Sequence, residues 1–169
     1  MKSEFALLIW LLFVLVYDLR ERRVPNWLVL SGAVLALAAL AFGSQPFGIG
    51  WATALVGATV GFGFLLLFYA TGLMGAGDVK FAGALGLWVG LQSLAAIWVI
   101  ASLLAGTHAV LWLILRRWPW FPRLAQLLSA GQRPVASDGG DSRQKARFIP
   151  YAAYLALATA VWMVWGRQG

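Results

Sequence analysis

Cysteine is absent from the 169 residues, histidine occurs once, and acidic residues number only 6. Without cysteine there is no disulfide framework, no Cys-ligated zinc site and no thiol nucleophile. The one imidazole, His108, lies in an apolar stretch with no second ligand at helical spacing, while zinc takes three or four protein ligands. No metal or other cofactor is expected. Charge of either sign is scarce, at 11% of residues against roughly 25% in soluble domains. What replaces it is apolar: 62% of the chain is hydrophobic and 10 residues are Trp. An ordinary cytosolic protein is excluded, and the composition describes a multi-spanning, all-α membrane protein forming one domain over residues 1–169.

The few charges can be read one at a time. Val24 to Gly77 is a run of 54 residues without Lys, Arg, Asp or Glu, which as one helix would be about 80 Å long. It must therefore turn, and the breakers Gly43, Pro46 and Gly48, with Ser44 and Gln45, place the turn. Phe81 to Leu115 is a second uncharged run of 35 residues, too long for one crossing of a hydrocarbon layer roughly 30 Å thick. Its most polar interruption is Leu91-Gln92-Ser93. With Phe5 to Tyr17 and Phe148 to Gly166 added, the sequence predicts a bundle of six transmembrane helices. A cleaved signal peptide is not expected at the first of these, because the charged hexapeptide Asp18 to Arg23 follows it where small neutral residues would be needed.

Charge asymmetry tests that count independently. Arg20, Arg22 and Arg23 follow the first crossing, Lys80 the third, and seven cations between Arg116 and Arg147 the fifth. All fall on one face. The positive-inside rule makes that face cytoplasmic and puts both termini outside. Residues 116–147 then form a basic cytoplasmic loop between helices 5 and 6, opening on the interfacial anchor Trp118-Pro119-Trp120-Phe121-Pro122. Beside membrane spans such a patch sets topology and attracts anionic lipid, so nucleic acid is not expected as a partner. His108 is expected to be a buried polar residue bonded across the bundle. Most of the aromatics Trp10, Trp27, Trp51, Trp88, Trp112, Trp162 and Trp165 read as interfacial belts. Gly57, Gly61, Gly83 and Gly86 read as packing positions where helices approach closely.

Two acids answer to no topological rule. Asp18 ends the first helix, and Asp78 closes Gly75-Ala76-Gly77-Asp78 at the end of the third or the start of the fourth. Loop parity puts both at one depth, although 60 residues separate them. An acid at the edge of a bilayer is a functional candidate by default, and two at one level suggest a dyad sharing one proton. One carboxylate can take a proton from water as it attacks a peptide carbonyl, and the other can donate to the carbonyl oxygen. Gly75 and Gly77 would let a substrate strand approach, and Lys80 would bias the pair's charge or mark the boundary. Pro25 and Asn26 are expected to cap the second helix, with Asn26 as N-cap. If Asp78 precedes the fourth helix, the positive end of that helix dipole favours Asp78 as base, and the negative end of the first helix favours Asp18 as acid.

Asp18-Leu19-Arg20-Glu21-Arg22-Arg23-Val24-Pro25-Asn26 resembles the Asp-x-x-x-x-x-(Ile/Val)-Pro-Asn signature of the type IV prepilin peptidases. Gly75-Ala76-Gly77-Asp78-Val79-Lys80 resembles their GxGD-(Val/Ile)-Lys signature, and Ile149-Pro150-Tyr151 is similar to the start of their last helix. The resemblance implies a membrane aspartic endopeptidase that cuts the basic leader from prepilin or pseudopilin substrates at the cytoplasmic face of the inner membrane. It implies Asp18 and Asp78 as the catalytic pair, supported by Gly75, Gly77, Lys80, Pro25 and Asn26. Larger members carry a Cys-x-x-Cys domain and also N-methylate the new terminus. With no cysteine the chain resembles the short form of tight-adherence (Flp) pilus systems, for which peptidase activity alone is expected. A small cation- or proton-coupled transporter using the same two acids is the alternative, but residues 90–169 hold no Asp-containing counterpart of the first half, as a repeat-built transporter would.

Overall fold

The computed structural model describes residues 2–21, 24–72, 74–117 and 151–165. They form five helices: α1 (Lys2–Glu21), α2 (Asn26–Ala41), α3 (Trp51–Ala70), α4 (Ala76–Arg117) and α5 (Tyr151–Trp165). The expected loop at 116–147 and its aromatic anchor fall almost wholly outside the described residues. α2 starts where Pro25, at φ −67°, ends the extended approach. The Pro25 carbonyl accepts from Leu28 and Val29 N–H at 3.1 and 3.3 Å. Between α2 and α3 the chain turns through Gly43 and Gly48, at φ +60° and +63°, in the left-handed region that favours glycine.

α4 is interrupted at Gly90, where φ is +70° and ψ 175°. The break lies one residue before the expected Leu91-Gln92-Ser93, because conformation decides it and not polarity: a Cβ at Gly90 would also meet Thr53 Cγ2 at 2.9 Å. The two arms run in opposite directions. Along α3, Gly57 touches the arm 76–89 at Gly86 and Gly61 touches it at Ala82, so this arm is antiparallel to α3. In the arm 91–117, Leu94 lies on Gly61 and the Trp98 ring stacks on Phe64 with centroids 4.7 Å apart, so this arm is parallel to α3.

Glycines make that close packing possible, as their positions suggested. A Cβ on Gly57 would stand 2.7 Å from the Gly86 carbonyl oxygen, and one on Gly61 2.8 Å from that of Ala82. Tryptophan departs from the belt reading at two positions. Trp10 and Trp88 are buried in the core, where Trp10 Nε1 donates to the Leu28 carbonyl at 2.8 Å and Trp88 Nε1 to that of Gly32 at 3.0 Å. An indole N–H inside an apolar bundle needs an acceptor; here the two indoles join α1 and the arm 76–89 to α2. The Trp10 ring lies where a side chain at Gly32 would project.

Two ends of the bundle follow from these contacts. At one, Gln45 Nε2 reaches the Ala36 and Leu87 carbonyls at 3.3 and 3.5 Å, bringing the α2–α3 turn beside the Gly90 break. At the other, Val24 before α2 meets Gly77 in the first turn of α4, with the Val24 N atom 3.4 Å from where a Gly77 Cβ would stand. Phe5, Ile9, Leu12, Leu30, Leu67, Val99 and Leu103 are all exposed on the outer surface. α3 (20 residues) and the 39 residues Ala76–Ile114 are long and apolar enough to cross a membrane. A surface this apolar suits lipid and not water.

Candidate active site

Asp18 and Asp78 lie at the Val24–Gly77 end of the bundle, and both are nearly closed off, at 3% and 7% exposure. Asp18 belongs to the last turn of α1 and Asp78 to the first turn of α4. What joins them is the beginning of α5. Ala152 N–H donates to Asp78 Oδ1 at 2.9 Å, and Ala153 N–H donates to Asp18 Oδ2 at 2.7 Å. The first amides of a helix have no partner within it and point outward. Adjacent amide nitrogens lie only about 3 Å apart by standard backbone dimensions, so carboxylates held by successive amides are neighbours. A charge taken out of water needs such donors.

The second motif surrounds this pair. Asp78 is the third residue of α4, not the residue before it, and its own N–H donates to the Gly75 carbonyl at 3.1 Å. A Cβ at Gly75 would stand 3.3 Å from Asp78 Oδ2, so glycine there leaves that oxygen uncrowded. Asn26 differs from expectation: the N-cap of α2 is Pro25, and Asn26 is the first helical residue. Its Oδ1 instead accepts from Lys80 Nζ at 2.9 Å. The Val-Pro-Asn and Val-Lys segments that flank the two acids are thus in direct contact, through Val24 on Gly77 and Asn26 on Lys80. Lys80 lines a groove of about 650 Å3 together with Asn26, Ala33, Ala58, Gly83 and Leu87.

Two further expectations change. His108 is exposed on the arm 91–117, with its ring edge-on to Tyr154 at 5.9 Å, and is not buried across the bundle. Nor do the helix dipoles divide the labour between the two acids. Asp78 does not precede α4 but lies inside its first turn, with its N–H already bonded to the Gly75 carbonyl, and Asp18 accepts from the first turn of α5, so opposite helix ends no longer choose the base. The α5 amides were invisible to sequence reasoning because backbone N–H groups carry no residue signature. Pro150, before an apolar run, was the available sign of a helix start there. Chemically, paired carboxylates fixed in this way can share a proton and pass it between water and a carbonyl oxygen.

Residues 5–110 match the type IV leader peptidase family. The chain is 30% identical over 162 residues to a prepilin leader peptidase/N-methyltransferase of Xanthomonas campestris pv. campestris, covering 89% of this chain and 45% of that protein. It therefore spans about half the length of that curated relative. No solved structure matches. With a family match over both acids, and with apolar helices long enough to cross a membrane, the chain belongs to the type IV leader peptidase family.

Proposed function

We propose that this chain is an aspartic endopeptidase of the inner membrane that removes the short basic leader of prepilin-like proteins at the cytoplasmic face. The observation that carries the reading is the convergence of Asp18 and Asp78 on successive amides of one turn. In the reaction, the ionised carboxylate takes a proton from water as its oxygen bonds to the scissile carbonyl carbon. The protonated carboxyl donates to the carbonyl oxygen, and a tetrahedral adduct forms. Its C–N bond then breaks as a proton passes to the leaving amine. Both carboxyls end with the one proton they began with. Gly75, Gly77, Pro25, Asn26 and Lys80 support the site by fixing the first turns of α2 and α4. Residues 1–169 act as a single membrane peptidase domain, and the activity assigned here is cleavage alone. A transporter reading has no support from the family match.

Co-expression with a prepilin tests this reading: leader-processed product is expected, and chelators are expected to leave its rate unchanged. Persistently unprocessed prepilin beside inserted protein overturns it.

The reading carries a topology: six crossings, with the two arms of α4 counted separately, both termini outside, and the acids and residues 116–147 on the cytoplasmic side. Reporter fusions at Gln45 and Ser137 are expected to report outside and cytoplasm, respectively. A common location for the two contradicts it.

A further inference from the structure

The two amides that hold the acids are only as well placed as the turn that carries them. Tyr151 is the first residue of that turn, and its phenol oxygen lies 3.1 Å from Ser102 Oγ on the arm 91–117. Ser102 follows the Gly90 break by as many residues as Asp78 precedes it, and with the arms antiparallel this puts the serine at the level of the acids. The start of α5 is therefore held at three points. Ala153 binds α1 through Asp18, Ala152 binds the arm 76–89 through Asp78, and Tyr151 binds the arm 91–117 through Ser102.

Resting on the peptidase reading above, we propose that Tyr151 and Ser102 are positioning residues, a hydroxyl latch that keeps the Ala152 and Ala153 amides aimed at the dyad. Neither hydroxyl needs to touch the substrate. Ala152 and Ala153 are buried among the neighbouring helices, and the latch adds to that packing a directional bond that does not run through the carboxylates, which must reorganise during every catalytic cycle. With it, the donors stay fixed while protons move, which is the preorganisation that favours a charge-shifting step. Net hydrogen-bond strengths between neutral groups translate into a several-fold effect on the populated geometry.

The test is a double-mutant cycle on the full chain in proteoliposomes, with a prepilin as substrate. Tyr151→Phe and Ser102→Ala are each expected to lower kcat about fivefold with KM unchanged. The double variant is expected to be no slower than either single, since the two hydroxyls act as one unit, and Ser102→Thr is expected to restore the rate. A rise in KM, multiplying effects in the double variant, or full activity in both singles would overturn the latch while a cleaving wild type leaves the peptidase reading intact. Amide hydrogen exchange gives a readout that needs no catalysis. Exchange at Ala152 and Ala153 is expected to be several-fold faster in Tyr151→Phe than in wild type, and equal rates would also overturn the latch.

Discussion

Asp18→Asn and Asp78→Asn are each expected to reduce leader cleavage by about 10³-fold or more, the scale lost when an essential acid or base is removed, while the protein still inserts. The amide keeps the volume and one oxygen for the α5 N–H. It can neither take a proton from water nor hold the shared proton of the pair. Because the two acids act as a unit, the double variant should be no worse than either single. Asp→Glu at either site should also cost most of the activity: the longer side chain displaces one carboxylate from an amide that its partner's neighbour fixes. Cleavage assays on membranes with matched amounts of inserted protein measure all five variants. Near-normal cleavage by either Asn variant would mean that the buried pair is structural.

Gly57→Leu and Gly86→Val are expected to have the largest effect on folding. α3 and the arm 76–89 touch through backbone at these positions: a Cβ on Gly57 would meet the Gly86 carbonyl at 2.7 Å and Gly90 Cα at 2.8 Å, and one on Gly86 would overlap the Gly57 carbonyl. A flexible side chain could swing aside, but two helix backbones must move apart together. Overpacking usually costs about 1–3 kcal/mol, and backbone separation places these two variants at about 3 kcal/mol or more. Thermal unfolding in detergent should show a large loss for both. Gly63 supplies the comparison on the same helix: a Cβ there meets nothing within 4 Å, so Gly63→Ala should melt as wild type does. Equal stability for Gly57→Leu and Gly63→Ala would refute the close approach.

The co-location of Asp18 and Asp78 was legible from charge parity alone, because isolated acids in so apolar a chain stand out and crossings alternate faces. The α2–α3 turn was equally readable, since Gly43, Pro46 and Gly48 are breakers whatever packs around them. Other features depend on partners that the sequence does not name. Gly90 looks like the packing glycines before it, and only its backbone conformation marks it as the reversal. Trp10 and Trp88 look like interfacial residues until the Leu28 and Gly32 carbonyls are seen opposite them. Asn26 has the chemistry of an N-cap, yet the Lys80 ammonium competes for its oxygen and Pro25 already sets the helix start. Least legible was the contribution of α5: the donors at Ala152 and Ala153 belong to the backbone, and no side chain betrays them.

Mass spectrometry of a prepilin reconstituted with the purified protein in ¹⁸O-labelled water shows whether the buried pair hydrolyses a peptide bond. A single cut after the basic leader, with solvent oxygen in the leader's new carboxylate, is expected for the wild type alone, and intact substrate with Asp18→Asn or Asp78→Asn. Intact prepilin with the wild type, or the same labelled leader from either variant, would contradict it.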